Sequence, residues 1–238
     1  MPPSIAIVIP CYNEASRLQT AAFLQFINSH PDIRFYFIND GSTDKTATIL
    51  KELQSQSSRI SFVDLSKNKG KGEAVREGIR QALSVKEYIY IGYLDADLST
   101  SLEEFYSLYQ EMLKRNKPLA FGSRIKKIDS VIERPFLRHI IGRLIATIVD
   151  KKFKFGCYDL QCGAKIFSSA ILKEVIDQPF LTKWFFDAEI FIRLKKHYGE
   201  LDAIEIPLKA WHNVKHSKLN LLSFPIVLKE IFILLTKY

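Results

Sequence analysis

The chain has 238 residues, of which 47% are hydrophobic and 25% charged, and its formal net charge is +8. This length and composition predict one sizeable folded domain and exclude an intrinsically disordered chain. The three cysteines (Cys11, Cys157 and Cys162) lack paired CxxC spacing, which indicates reduced thiols and excludes a disulfide framework or a cysteine zinc site.

Strands and helices alternate over the first half of the chain. Continuous apolar runs predict five strands, at Ile5–Ile9, Arg34–Asp40, Ile60–Val63, Tyr88–Leu94 and Leu119–Gly122. Periodicity and capping signals predict the helices between them, at Ser16–Ser29, Thr43–Gln56, Lys71–Leu83 and Ser101–Arg115. This alternation predicts an α/β fold with a mostly parallel central sheet flanked by helices. Such sheets bind ligands beyond the carboxyl ends of their strands.

The pattern changes after Arg124. Nine basic and only three acidic residues lie between Arg124 and Lys154, mixed with apolar residues and without strand signals. Shorter elements follow, predicted as strands at Ala164–Phe167 and Ile204–Ile206 and as helices at Ser168–Ile176, Trp184–Tyr198 and Phe224–Tyr238. The last helix is amphipathic. The first residues show no signal-peptide pattern, and no run of about 18 uncharged apolar residues predicts a transmembrane helix.

Two carboxylates end one strongly apolar strand. Asp95 and Asp97 directly follow the run Tyr88–Leu94. Packing does not explain this ending, because a bare carboxylate is costly to desolvate. Since residues i and i+2 of an extended segment point the same way, we expect both carboxylates to face one cleft. Such oxygen ligands suit Mg²⁺ or Mn²⁺ together with a bound phosphate, whereas the alternative is a solvated turn.

Polar residues also follow the second and third strands. Asp40 precedes Gly41, which permits a sharp turn, and its carboxylate is able to accept hydrogen bonds from a nucleobase or a ribose. We expect Ser42 or Thr43 to cap the next helix. The segment Lys67–Gly72 is a glycine-spaced, lysine-rich helix entry that suits anions, with a plain basic loop as the alternative. It has neither P-loop nor dinucleotide-fingerprint spacing.

Four segments taken together resemble the family 2 glycosyltransferases with a GT-A fold. They are Pro10-Cys11-Tyr12-Asn13-Glu14, Asn39–Thr46, Asn68–Gly72 and Asp95-Ala96-Asp97, in the order and spacing of that family. Three later segments resemble its polyprenyl-phosphate branch, which includes the dolichyl-phosphate β-glucosyltransferases and mannose synthases. These are Gly122-Ser123-Arg124, Asp159–Lys165 and Trp184–Glu189.

The resemblance implies an inverting transfer of a hexose to a polyprenyl or dolichyl phosphate, from UDP-glucose or else GDP-mannose. It implies one GT-A domain over 1–238, with a nucleotide-sugar-binding half at 1–124, an acceptor-binding half at 125–216 and an amphipathic helix at 217–238. The donor-binding residues that it implies are Pro10, Tyr12, Asn13, Glu14, Asp40, Gly70, Lys71 and Asp95. Asp95 and Asp97 would hold Mg²⁺ or Mn²⁺, and the implied catalytic residues are Asp159, Arg124, Gln161 and Asp187.

The role of Asp159 follows from the chemistry of the acceptor. This aspartate stands where the family has its usual candidate for a base. A phosphate monoester has a second pKa of about 6, so the acceptor is mostly ionised at neutral pH. We therefore expect Asp159 to orient the acceptor or the sugar, with a loop-capping role as the alternative. We expect Arg124, Arg134 and Arg138 to screen the charge of the acceptor.

The basic segment and the last helix are interpreted together. We expect a face that docks on an anionic membrane, with basic residues at the headgroups and apolar residues dipping inward. The apolar residues are Ile140, Ile141, Leu144 and Ile145. The alternative is that they fill the core or a homodimer interface. The expected location is the cytoplasm, peripherally at the cytoplasmic face of the membrane.

Three other functions compete with this interpretation. The nearest is a family 2 transferase that acts on a polysaccharide or another glycan without a lipid. A sugar nucleotidyltransferase needs a glycine-rich, arginine-containing loop after the first strand, and Pro10–Glu14 differs from that loop. A non-catalytic nucleotide- or nucleic-acid-binding protein is suggested by net charge alone. Because no base-stacking motif is present, we expect no nucleic-acid partner.

Overall fold

The computed structural model describes residues 4–85, 88–133, 136–213 and 224–238. The chain divides into two compact units. The first comprises the residues up to Leu98 together with Gly163–Pro179, and the second comprises Ser99–Cys162 and Phe180–Tyr238.

The helices and strands follow one another in a regular order along the first unit. They are β1 (Ile5–Cys11), α1 (Thr20–Ser29), β2 (Ile33–Asn39), α2 (Thr46–Ser55), β3 (Ile60–Asp64), α3 (Lys71–Val85) and β4 (Tyr90–Leu94). In the second unit there follow α4 (Leu102–Lys114), β5 (Leu119–Ser123), β6 (Val131–Ile132) and α5 (Phe136–Phe153). The chain returns to the first unit for β7 (Ala164–Ser168) and α6 (Ser169–Val175). It ends in the second unit with α7 (Phe186–Tyr198), β8 (Ile204–Pro207), β9 (Ala210–Trp211) and α8 (Phe224–Lys237).

The strands of the first unit lie in the order β3-β2-β1-β4-β7. The pairs among β1, β2, β3 and β4 are parallel, and β7 runs antiparallel to β4 with Ala164 opposite Leu94. Every residue of β1 is buried, as a parallel strand covered on both faces requires. The carboxyl ends of β1, β2 and β4 therefore share one edge, and Tyr12, Asp40 and Asp95 follow directly at that edge.

Aromatic side chains fill the core beneath this sheet. Phe23 of α1 contacts Phe35 and Phe37 of β2 edge-on, with ring centroids 5.2 and 5.0 Å apart. On α3, Gly78 allows a close approach to β1, because an added Cβ would lie 2.9 Å from the Ile38 side chain and 3.0 Å from a methyl of Val8. The sheet whose edge carries the polar residues is therefore closely packed against its helices.

In the second unit, β5 and β8 pair in parallel, and the short strands β6 and β9 pair with each other. Helix α4 begins as predicted with Ser101 as its N-cap, whose hydroxyl accepts a hydrogen bond from the Glu104 amide at 3.1 Å. The Glu104 carboxylate instead accepts from the Lys209 amide at 2.9 Å, so the predicted capping box is only half formed. Helices α5 and α8 contact each other. In the described ranges, no helix has the length and apolarity needed to cross a bilayer.

Three further local predictions differ from the structure. Helix α1 begins at Thr20, since the residues after Glu14 form a turn in which the Arg17 and Leu18 amides donate to the Glu14 carbonyl. Helix α2 begins at Thr46, and neither Ser42 nor Thr43 caps it; the Asp44 carboxylate accepts from the Thr46 amide at 2.9 Å. Helix α5 was not predicted, because its mixture of basic and apolar residues has no clear period.

Candidate active site

The loop after β1 is joined to the loop after β2. The Asn13 amide donates to the Ser42 hydroxyl at 2.9 Å, and the Asn13 side-chain oxygen accepts from the Thr43 amide at 2.9 Å. The Glu14 amide donates to the Thr46 hydroxyl at 2.8 Å. Asn13 has a φ of 53°, a left-handed conformation in which asparagine is well tolerated. Two of the predicted donor-binding segments therefore form one structure.

Asp40 anchors a third loop. Its buried carboxylate accepts hydrogen bonds from the Lys69 amide at 2.7 Å and from the Gly70 amide at 2.9 Å. Gly41 has a φ of 64°, and a Cβ there would lie within 3.0 Å of the backbone of Lys67. The carboxylate that was predicted to contact a nucleoside thus also fixes the entry to α3 and with it Lys71.

The two carboxylates after β4 lie in a turn. Strand β4 ends at Leu94, and the Leu98 amide donates to the Asp95 carbonyl at 3.2 Å. The two aspartates therefore lie in a turn and not on an extended segment, and that both carboxylates face one cleft stays a prediction. Asp95 lies 2.5 Å from Lys71 Nζ, and Asp97 lies 3.9 Å from Arg17 Nη1.

Arg17 was not predicted as a site residue, because its segment was assigned to a helix. Its guanidinium forms a two-armed pair with Glu14, and the second arm, Nη2 to Oε1, measures 2.6 Å. The hydrogen bond with Glu14 raises the pKa of Arg17, and the charges of Glu14, Asp97 and Asp95 add to it. Arg17 thus links the loop after β1 with the acidic turn after β4.

Gly163 leaves the space that the Asp95 side chain occupies. An ideal Cβ at Gly163 would lie within 3.0 Å of three atoms of the Asp95 carboxylate group. The side chains of Asp95 and Asp97 are 35% and 22% exposed, so both are accessible to a ligand. The space beside Gly163, which the Asp95 side chain occupies, and the two accessible carboxylates fit a site for a divalent cation. In the ranges that the structure describes, no three His, Cys, Asp or Glu side chains gather at one point, so such a cation would need further oxygen ligands from water or phosphate.

The remaining donor-binding predictions lie at the same edge of the first unit. Pro10 is buried inside β1 opposite Ile38, and Tyr12 is half-buried just after that strand. Gly70, with a φ of 95°, directly precedes α3. The first unit therefore brings together all of the residues predicted for the donor and the metal.

In the second unit, Asp159 holds Arg124. The Asp159 carboxylate accepts from Arg124 Nε at 2.6 Å, from Arg124 Nη2 at 2.7 Å and from the Arg124 amide at 3.1 Å. It also accepts from the Gln161 amide at 3.2 Å, and the Arg124 guanidinium lies 5.4 Å from the centre of the Trp211 ring. Glu205 of β8 fixes this loop in turn, because its carboxylate accepts from the Tyr158 and Asp159 amides at 2.7 Å each.

A pocket lies beside this ion pair. Asp159 and Gln161 form its polar side together with Arg143, and its apolar side comes from α5, from α7 and from Phe185 directly before α7. The apolar lining includes Ile145, Ala146, Val149, Phe185 and Ala188. Asp187, which was predicted to be catalytic, is buried in the first turn of α7 and does not line this pocket.

Arg143 is fixed in the pocket wall by Tyr158. Its guanidinium lies 3.8 Å from the centre of the Tyr158 ring, and its Nη1 donates to the Tyr158 carbonyl. Within the described part of the chain, its Nε and Nη2 donate to no acceptor. Arg124 donates to Asp159 through the same two nitrogens of its guanidinium. This pair of nitrogens has the geometry to bind two oxygens of one phosphate.

Comparison with known proteins decides the family of the chain. The family model described as "Glycosyl transferase family 2" matches residues 6–176. The chain belongs to this family. It is therefore a glycosyltransferase, and the family assignment made from its motifs is confirmed.

Two curated proteins are similar to most of this chain. The dolichyl-phosphate β-glucosyltransferase of Dictyostelium discoideum is 30% identical over 235 residues, which are 91% of this chain and 68% of that protein. The enzyme of the same name from Saccharomyces cerevisiae is 29% identical over 241 residues, which are 91% and 69% of the two chains.

A solved structure supports the fold. The glucosyl-3-phosphoglycerate synthase of Mycobacterium tuberculosis, in complex with Mn²⁺, uridine diphosphate and glucosyl-3-phosphoglycerate, superposes with a TM-score of 0.69. The match covers 99% of this chain and 80% of that one at 16% sequence identity. The predicted GT-A fold of this family 2 glycosyltransferase is confirmed.

Proposed function

We propose that this glycosyltransferase transfers glucose from UDP-glucose to a polyprenyl phosphate of the dolichyl type. The two curated relatives carry that acceptor and that sugar in their names, and each matches 91% of this chain. Glucose is preferred over mannose as the transferred sugar on the same ground.

The observation that carries the proposal is the pocket of the second unit. It combines the Arg143 guanidinium, stacked on the Tyr158 ring, with the apolar wall formed by Ile145, Val149 and Phe185. A polyprenyl phosphate has this chemistry, with an anionic head joined directly to an isoprenoid chain. A sugar acceptor would instead need several hydrogen-bonding groups in place of the apolar wall.

The donor is assigned to the strand edge of the first unit. Lys71 and Arg17 supply positive charge beside Asp95 and Asp97. We assign Mg²⁺ or Mn²⁺ to Asp95 and Asp97, where the bound cation would neutralise the charge of a leaving nucleoside diphosphate. The loop held by Asp40 and the Asn13–Glu14 turn would bind the nucleoside.

The acceptor needs orientation more than deprotonation. A phosphate monoester is mostly ionised at neutral pH, since its second pKa is about 6. Asp159 already accepts four hydrogen bonds, three of them from Arg124. We therefore assign Asp159 to the positioning of Arg124, and Arg124 and Arg143 to the charge of the acceptor. The side chains of Arg134 and Arg138, which were also expected to screen this charge, lie outside the described residues.

We further propose that α5 and α8 dock on an anionic membrane. Along α5, Ile140, Leu144 and Ile148 are exposed at intervals of four residues, with Leu144 60% exposed. On α8, Ile226, Leu228 and Phe232 are exposed, with Phe232 66% exposed. Exposed lysines accompany both helices, and the Lys152 ammonium of α5 donates to the Leu235 carbonyl of α8. Apolar residues with adjacent lysines suit a surface of anionic lipids.

This face differs in part from the predicted one. Ile141 and Ile145 are half-buried, and Ile145 lines the pocket, so Ile148 stands on the exposed face instead. Residues 217–223 of the predicted last helix lie outside the described residues.

The test is a panel of UDP-glucose, GDP-mannose and UDP-N-acetylglucosamine with a short polyprenyl phosphate and Mn²⁺ or Mg²⁺, scored for lipid-linked sugar. We expect transfer from UDP-glucose, and loss of transfer in the variant Asp97→Asn. A control variant, Asp202→Asn, changes an exposed carboxylate of the second unit and should keep full activity. Sugar transfer to a glycan with no lipid-linked product would contradict the proposed acceptor.

A further inference from the structure

One buried carboxylate of α8 belongs to none of the groups assigned so far. Glu230 is only 5% exposed, although it lies on a helix whose other face carries Leu228 and Phe232 in solvent. Removing a carboxylate from water costs free energy, and a buried carboxylate is stable only where it accepts several hydrogen bonds. The donors to Glu230 therefore show which part of the chain it holds.

Glu230 binds three consecutive backbone amides. Its carboxylate accepts from Lys183 at 3.0 Å, from Trp184 at 2.8 Å and from Phe185 at 3.3 Å. These amides directly precede α7, which begins at Phe186 and has no side-chain cap of its own. A negative charge at this position also interacts favourably with the positive end of the helix dipole.

A second buried carboxylate, that of Glu189, holds Leu181 and Thr182, the two residues before Lys183. Glu189 is fully buried on α7, and it accepts from the Leu181 amide at 2.9 Å and from the Thr182 amide and hydroxyl at 3.0 and 2.9 Å. Every amide of the 181–185 segment thus donates to one of two buried carboxylates. The segment is fixed by side chains from α7 and α8 and belongs to no helix or strand.

The 181–185 segment forms part of the pocket. Phe185 at its end lines the pocket together with Ala188 of α7. Glu230 does not line the pocket, and in the ranges that the structure describes its carboxylate accepts hydrogen bonds from this segment, so we expect its effect on the pocket to pass through the segment. It connects the amphipathic helix with the apolar wall against which we place the isoprenoid chain.

We propose that Glu230 is a positioning residue for the acceptor, through which α8 sets the place of Phe185 in the pocket wall. This inference rests on the proposed function. Glu230→Gln is the informative change, because a carboxamide has one acceptor oxygen and turns its NH₂ group toward amides that are themselves donors. The size and shape of the side chain are otherwise kept.

The experiment measures steady-state rates with a short polyprenyl phosphate and UDP-glucose, and hydrogen exchange of the 181–185 amides. For Glu230→Gln we expect the acceptor KM to rise about tenfold and the UDP-glucose KM to stay within about twofold, with faster exchange at 183–185. Glu230→Asp keeps the charge and should restore part of the acceptor affinity. The control Glu200→Gln makes the same chemical change at an exposed site and should match the wild type.

The outcomes distinguish a failure of the positioning role of Glu230 from a failure of the proposed function. An unchanged acceptor KM, or equal increases of both KM values, would overturn the positioning role, since a general loss of structure acts on both substrates alike. If Glu230→Gln does not fold, Glu230→Asp decides by the same ratio of KM values. A wild type without transfer to polyprenyl phosphate would overturn the proposed function, and amide exchange would then still decide whether Glu230 holds the segment.

Discussion

The Asp159 carboxylate binds the Arg124 guanidinium with both of its oxygens: Oδ2 lies 2.6 Å from Nε, and Oδ1 lies 2.7 Å from Nη2. Both groups are largely buried, and the Asp159 carboxylate accepts two backbone amides as well. Both oxygens of this carboxylate are thus engaged in strong, charge-assisted hydrogen bonds. The pair holds Arg124 in one orientation.

The first prediction concerns Asp159→Asn. We expect kcat to fall about a hundredfold, because Arg124 loses its orientation and a small displacement at a reacting group has effects of this size. The wild-type rate should be flat between about pH 6.5 and 8, since the acceptor phosphate is already ionised. Rates of lipid-linked product formation against pH test both points.

If Asp159 acted as a catalytic base, the dependence of the rate on pH would differ. A wild-type rate that rises through a single ionisation, and a variant in which this dependence disappears, would identify Asp159 as a base. Glu205→Gln is the matched comparison, because it loosens the Tyr158–Asp159 backbone without touching the carboxylate pair. We expect it to lower the rate less than Asp159→Asn does.

The second prediction concerns Gly163→Ala. The new methyl would overlap the carboxylate group of Asp95, so Asp95 must move away. We expect the affinity for Mn²⁺ in the presence of UDP to fall about tenfold, as calorimetric titration would measure. Gly156→Ala is the comparison, because its Cβ meets nothing within 4 Å and it tests only the cost of a positive φ. Equal Mn²⁺ affinities in Gly163→Ala and the wild type would exclude Asp95 from the cation site.

The strand-end residues of the first unit were predictable from the sequence. Their positions follow from the alternation of strands and helices, which brings the carboxyl ends of parallel strands to one edge. Arg17 was missed because a turn, closed on the Glu14 carbonyl, stands where the pattern indicated a helix.

The supporting residues of the second unit were not predictable in this way. Glu205 acts on residues 46 and 47 positions away, and Glu230 on residues 45 to 47 positions away. Local patterns of hydrophobicity and charge contain no information about such partners. Arg143 was counted only as part of a basic segment, because its ring contact with Tyr158 depends on the fold of α5.

The third prediction concerns Arg143. We expect Arg143→Lys to raise the acceptor KM about tenfold despite the retained charge, because lysine has neither the planar stacking on Tyr158 nor two donors on one edge. Arg143→Gln should raise it further, and neither change should alter the KM of UDP-glucose. Steady-state kinetics with a short polyprenyl phosphate measure this. Full activity of Arg143→Lys would show that only charge is required.

The fourth prediction concerns the exposed apolar face. The double variant Leu144→Ser, Phe232→Ser removes two of the most exposed apolar side chains of α5 and α8. We expect it to lose flotation with vesicles of anionic lipid, since each side chain contributes about 2 kcal/mol when buried. Raising the salt should weaken binding of the wild type. A wild type that does not float and sediments as a dimer would identify this face as a homodimer interface instead.

The fifth prediction concerns the last residue of the chain. The Tyr238 hydroxyl donates to Glu189 at 2.7 Å, and burial together with this hydrogen bond raises the pKa of Tyr238 to about 12. Because an unfolded tyrosine has a pKa of about 10, the protonated phenol stabilises the folded chain fully below pH 10, and this contribution is lost as the pH rises toward 12.

Tyr238→Phe lacks the hydroxyl and should be about 1 kcal/mol less stable at neutral pH. The stability difference between wild type and variant, measured by chemical denaturation, should therefore shrink between pH 10 and 12. A difference that stays constant across this range would mean that the phenol of Tyr238 does not hold Glu189 in the folded protein.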